Sequence, residues 1–194
     1  MRAQANLMSK VLRFWGLFRV EDIPYLRVHV VVVNDWKDDN LFIPLILPLA
    51  ESRVWWRREM GIEVDFQLQG EVIEDLQQDQ AINDPEQFGA ALRNATKWQV
   101  RNPVPIIFIF PKHAHLTNKR WYGAAWEWWG FGAVAGQTKT LINEIIDHEL
   151  GHILGLDHEG GTFMQEEFDH QIRHVLPAQR TKLRNTVANE TWVR

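Results

Sequence analysis

Residues 148–158 read His-Glu-Leu-Gly-His-Ile-Leu-Gly-Leu-Asp-His and combine three imidazoles, two carboxylates and two glycines. His148 and His152, four apart, fall on one face of a helix about one turn apart, so both rings reach a single ion. Glu149 follows the first ring and is held beside that ion, where a carboxylate takes a proton from metal-bound water. Gly155 tolerates a positive φ and ends the helix, so the chain reverses and His158 returns as a third ligand. Three neutral imidazoles leave one tetrahedral position open to water, which suits a catalytic zinc ion rather than a closed structural one. Chance fills the five fixed positions of H-E-x-x-H-x-x-G-x-x-H about once in a few million starting points.

The pattern resembles the metzincin metallopeptidases, whose longer signature continues into a methionine-containing turn beneath the metal. Met164 stands six residues past His158, in Gly160-Gly161-Thr162-Phe163-Met164, with glycines for a tight turn and an unbranched thioether to pack under the rings. The resemblance, detailed over Tyr122–Glu167, implies His148, His152 and His158 as zinc ligands and Glu149 as general base and acid. It implies Met164 as the floor of the site and a fold of α/β (α+β zincin) type. That fold has a mixed twisted sheet, a central zinc-binding helix, a methionine turn and a C-terminal helix. Metzincins also place an edge strand before the zinc helix to pair with the substrate backbone, and by order this is Tyr122-Gly123-Ala124-Ala125-Trp126. The Trp126–Trp129 cluster reads equally as core. Gly155-Leu156-Asp157-His158 is similar to the matrixins, Glu159 to the astacins, and the Tyr122–Gly136 pattern to the archaemetzincins, whose cysteine zinc site is missing here. Asp157 either orients a ligand histidine or sits in the turn. With tyrosine only at positions 25 and 122, the post-turn tyrosine of some metzincins has no counterpart.

The implied activity is peptide-bond hydrolysis of a peptide or protein substrate by metal-activated water. The alternative is a binding or structural protein in which zinc stabilises the same scaffold; a carboxylate at Glu149, which a structural site does not need, favours the enzyme.

At 194 residues, with 45% hydrophobic and 24% charged side chains, the chain suits one well-cored soluble domain. We expect an N-terminal helical extension over residues 1–20 and a catalytic domain over 21–194, acting as a monomer. A net charge of −4 without a basic stripe argues against nucleic acid. The absence of cysteine excludes disulfides and thiolate ligands, and fits either a cytoplasmic protein or a secreted mature form. No apolar run approaches a membrane span, and Phe14–Phe18 is too short for a signal-peptide core. Ten tryptophans are mostly assigned to core, some to a binding surface.

Periodicity predicts the remaining elements. Leu7, Val11, Phe14 or Trp15 and Phe18 form an amphipathic segment, either a packed helix or a propeptide or membrane-surface arm. Tyr25–Asn34 reads as a central strand with His29 as a core residue, Pro48–Met60 as a helix and Ile62–Leu68 as a half-buried strand. Asn34–Asn40 is a solvated turn, with calcium binding as the sharper alternative. Residues 71–83 form a surface loop or short helix. A helix begins at Asp84-Pro85 and carries Phe88, Leu92 and Trp98. Val104–Phe110 is a buried strand, and short strands follow over 121–126 and 132–136. The zinc helix spans about Thr140–Leu154 and is buried; a last helix spans Pro177–Asn189. His113 with His115, and His170 with His174, are loop or surface histidines by default and a second zinc site by alternative.

Overall fold

The computed structural model describes residues 23–33, 42–71, 85–96, 104–110, 122–135, 142–166 and 173–190. The expectations for residues 1–20, for the Asn34–Asn40 turn, for residues 72–83 and for His113, His115 and His170 lie outside these.

Strand β1 (Tyr25–Val33) carries a run of β-branched residues apolar on both sides, as a strand covered on both faces requires. It lies between β2 (Glu63–Glu71) and β3 (Ile106–Phe110), parallel to both. β3 pairs in parallel with β5 (Phe131–Ala135), and β4 (Gly123–Trp126) closes the sheet as an antiparallel edge, in the order β2-β1-β3-β5-β4. This is the mixed α/β sheet expected from the sequence.

Alternation along the strands builds two cores. Val28, Val30, Val32, Ile107 and Ile109 face one layer, which holds helices α1 (Phe42–Trp55), α3 (Ile142–Ile153) and α4 (Pro177–Asn189). Val31, Val33, Ile106, Phe108 and Phe110 face the other, where helix α2 (Pro85–Ala95) lays Phe88 and Leu92. Fully burying one such aliphatic or aromatic side chain contributes about 1.5–3 kcal/mol, so the sheet is a stiff floor for whatever α3 carries.

Some boundaries move. α1 starts at Phe42 rather than Pro48 and contains Pro48, then widens into a π-helical turn over Trp56–Met60 that Gly61 ends at φ 65°. Pro48 lacks the N–H that would bond back one turn, and the apolar stripe Leu45, Leu49, Trp56 and Met60 is buried strongly enough to carry the helix through it. β2 continues past Leu68 to Glu71 because β1 is long enough to pair with all of it. His29 is half-buried rather than core. Gly123–Trp126 and Phe131–Ala135 are the two short strands, joined by a 3-10 turn over Glu127–Trp129. α4 has the bounds the sequence predicts.

Candidate metal centre

Helix α3 is buried on nearly every side: Ile142, Ile145, Ile146, Leu150 and Ile153 pack into the core, and Asp147, His148 and Glu149 are buried with them. Its end is a complete Schellman motif. The Gly155 N–H donates to the His152 carbonyl at 2.8 Å and the Leu156 N–H to the Gly151 carbonyl at 2.9 Å, with Gly155 at φ 89°. The turn sends the chain back along the helix and brings His158 to the other two rings.

The three Nε2 atoms converge: His152 Nε2 lies 3.0 Å from His148 Nε2 and 3.1 Å from His158 Nε2. Among the described residues, this is the cluster that brings three ligand atoms within 4.8 Å of one another. The first contact is not a hydrogen bond. His148 Nδ1 sits 3.0 Å from the Phe163 carbonyl and His152 Nδ1 2.8 Å from the Leu156 carbonyl; a carbonyl only accepts, so each Nδ1 carries the proton. Burial pushes His148 down to about 4, with the neighbouring rings adding to it and the Phe163 bond opposing, and burial likewise lowers His152. Both rings are therefore neutral near pH 7, and a neutral imidazole with its proton on Nδ1 presents a bare lone pair at Nε2. Lone pairs at this distance repel unless a cation lies between them. Zinc–nitrogen bonds of about 2.0–2.1 Å at tetrahedral angles space ligand nitrogens about 3.3–3.4 Å apart, so the donor set fits such an ion with little movement.

Both locking carbonyls belong to the turns that end the motif. Phe163 is held in turn: its N–H donates to the His174 carbonyl at 3.0 Å, and its ring meets Trp55 edge-on at 5.2 Å. Thr162 pins the methionine turn, donating to the Glu159 carbonyl at 2.8 Å while accepting from the Met164 N–H at 3.1 Å and from Gln179 Nε2 of α4 at 3.2 Å. Met164 is fully buried against Gly151, where a Cβ would stand 2.4 Å from its sulfur.

Glu149 projects towards β4. A Cβ on Gly123 would stand 2.3 Å from Glu149 Oε1 and 2.8 Å from its Cγ and Cδ, so the carboxylate occupies the space a side chain would take. Burial pushes this carboxyl up to about 8. β4 is the outer strand, and the Ala135 N–H donates to the Tyr122 carbonyl at 2.8 Å. Antiparallel alternation turns the backbone groups of residues 122, 124 and 126 towards β5 and those of Gly123 and Ala125 to the free edge. Of the five residues the sequence associates with substrate, Gly123 and Ala125 thus offer donors and acceptors outward. Ala124 packs on the opposite core, and Trp126 is buried there against Phe88 and Phe131. Tyr122 is half-buried. Asp157 is exposed, and its charge acts on His152 to oppose the lowering. Trp128 is 75% exposed, whereas Trp55, Trp56 and Trp126 are core.

Asp147, which the sequence pattern gave no reason to single out, precedes His148 on α3 and is buried. It accepts from Trp56 Nε1 at 2.7 Å, from the Ser52 hydroxyl at 3.1 Å and from the Arg173 guanidinium. Burial pushes it up to about 7 against the pull of these three donors. Gly151 was also missed; only the size of the residue facing the predicted Met164 could have flagged it.

No family model matches the sequence, and no curated protein matches it. Solved structures do. Archaemetzincin from Methanopyrus kandleri superposes with a TM-score of 0.58 at 12% identity, over 87% of this chain and 99% of that one. Metalloproteinase-II from Bacteroides fragilis superposes at 0.56 and 13% identity, over 84% of this chain and 53% of that one. The fold is zincin-like. This chain spans about half the length of the Bacteroides protein, and at such identities the likeness concerns the fold alone. In the zincin-like frame, the mixed sheet ends in the antiparallel edge strand β4, α3 carries His148 and His152, and the segment after its terminal turn supplies His158.

Proposed function

We propose that the chain is a zinc-dependent endopeptidase, with His148, His152 and His158 as the metal ligands and Glu149 as the general base. One observation carries the reading: two imidazoles fixed by backbone carbonyls as Nδ1–H tautomers aim bare Nε2 atoms at a point shared with the third, beside a buried carboxylate and an open strand edge. When bound there, a zinc ion would lower the pKa of a water and polarise a carbonyl. The chain's own residues do the rest. Gly123 and Ala125 hold an extended peptide through main-chain hydrogen bonds that any sequence can make. The bare strand at Gly123 lets the peptide come close to Glu149. Glu149, kept from bulk water, takes a proton at its carboxylate and returns it to the leaving amine. Met164 and Thr162 keep the Phe163 carbonyl under His148. The match over nearly the whole archaemetzincin supports reading this chain as one domain of that fold.

The test is casein hydrolysis by wild type and Glu149→Ala, with zinc quantified in both. We expect equal zinc and a fall in turnover of several orders of magnitude in the variant. Substantial residual cleavage removes Glu149 from the mechanism; zinc in both with cleavage in neither favours a zinc-stabilised binding protein.

A further inference from the structure

Asp147 and Arg173 close a circuit that ends on a candidate metal ligand. Arg173, whose guanidinium lies 4.3 Å over the Trp55 ring, donates to the Asp147 carboxylate. The next residue, His174, uses its carbonyl to accept the Phe163 N–H at 3.0 Å. Phe163 uses its own carbonyl to accept the Nδ1–H of His148 at 3.0 Å, and His148 is covalently next to Asp147. Trp55, beneath the guanidinium, also packs on the Phe163 ring. The ring of contacts therefore runs Asp147, Arg173, His174, Phe163, His148 and back to Asp147. Outside this ring, Asp147 also accepts from Trp56 Nε1 and from the Ser52 hydroxyl.

We infer that the Asp147–Arg173 pair is a positioning device for the metal centre: it docks the extended segment 173–176 against α3 so that the Phe163 carbonyl sets the tautomer and tilt of His148. The inference rests on the metal-site reading of the three histidines. Geometry favours this over a generic ion pair. Arg173 and the buried Val175 flank His174, so the Asp147–Arg173 contact on one side and core packing on the other hold the His174 carbonyl where the Phe163 N–H meets it. A buried carboxylate with one guanidinium and two neutral donors is also costly to assemble, and replacing such a pair by apolar groups is often neutral or stabilising. Its value therefore lies in geometry rather than in net stability. Outer partners that orient ligating histidines are worth 10–100-fold in metal affinity.

The test measures zinc affinity by competition with a chromophoric chelator, and the visible absorption of the cobalt(II)-loaded protein as a report on ligand geometry. The variants are Arg173→Met, Arg173→Lys, the double Asp147→Asn/Arg173→Met, and Ser52→Ala, which removes a bond to Asp147 that is outside the circuit. Denaturant unfolding of each apoprotein gives its stability. We expect Arg173→Met and the double variant to bind zinc about 10–100-fold more weakly with altered cobalt bands. Arg173→Lys should recover part of the affinity, and Ser52→Ala should keep wild-type affinity and bands. If Arg173→Met fails to fold, the double variant, which leaves no unpaired buried charge, carries the comparison. Folded variants with wild-type affinity and bands overturn the inference, as does a loss in Ser52→Ala equal to that in Arg173→Met, which would make the effect one of stability. A wild-type chain that binds neither ion overturns the metal-site reading beneath it, a distinguishable result.

Discussion

Two glycines decide whether the central residues fit. Gly123 is bare because Glu149 fills the volume of its missing side chain, with Cγ and Cδ as well as Oε1. Gly123→Ala therefore displaces the whole carboxylate, and a displacement near 1 Å is enough to cost about a hundredfold in turnover. We expect that loss with metal content unchanged, measured on a general protein substrate; unimpaired turnover would show that Glu149 does no chemistry from its present position. Gly151→Ala sets two effects against each other. Alanine gains up to about 1 kcal/mol of helix propensity, while its Cβ meets the Met164 sulfur at 2.4 Å and the Phe163 ring at 3.3 Å in a fully packed core. Overpacking typically costs about 1–3 kcal/mol, so urea unfolding should show net destabilisation; a more stable variant would mean the methionine turn yields freely. The sequence displayed the histidines, Glu149 and Met164 because their spacing is local. It hid Asp147, whose partners Trp56 and Ser52 lie 91 and 95 residues away, and it hid the reason for Gly123 and Gly151, which is a contact with a residue distant in the chain.

At the scale of elements, the end of α3 does more than stop a helix. The Schellman turn at Gly155 provides the Leu156 carbonyl that sets the His152 tautomer and starts the segment that returns His158. Gly155→Ala keeps the sequence able to form α3 but puts an L side chain at φ 89°, where the left-handed region costs about 1–2 kcal/mol. We expect that loss of stability together with a marked fall in zinc affinity, and a smaller deficit in Gly155→Asn, since asparagine is the usual second choice at this position. Equal affinity in all three proteins would separate the turn from the metal centre. The same turn was legible from the sequence, as were β1, α3 and α4, because each is marked by its own periodicity or breaker residues. The start of α1 was not. Pro48 reads as the first residue of the helix, and only the burial of Leu45, Leu49, Trp56 and Met60 in the core explains why the helix already runs through it. Trp126 was equally ambiguous: in a four-residue strand, alternation alone leaves open which face is core, and Phe88 and Phe131 settle it.

Across the whole molecule, the metal-free fold carries opposed titrations behind one small site. Burial raises the Glu149 carboxyl from an ordinary value of 4.5 to about 8 and lowers the His148 ring from 6.5 to about 4. For Glu149 the folded chain holds a proton that the unfolded chain has released between these values, so its contribution is full below about 4.5 and is lost as pH rises to about 8. For His148 the unfolded chain takes up a proton first, so stability is lost as pH falls from about 6.5 towards 4. A cation at the three Nε2 atoms reverses both tendencies, since it favours an ionised carboxylate and deprotonated rings. Glu149→Gln isolates one arm: it keeps the shape of the side chain and removes the titration. In chelator-treated protein, wild type and variant should be nearly equally stable to urea near pH 4.5. The variant should gain steadily above that, to an advantage of a few kcal/mol by pH 9, because each pH unit across the window is worth up to about 1.4 kcal/mol. Saturating zinc should shrink the gap at pH 9, because the ionised carboxylate then has a cation beside it. A gap that does not vary with pH would mean that Glu149 is hydrated in the metal-free fold, and that β4 and α3 do not close over it as tightly as the contact at Gly123 requires.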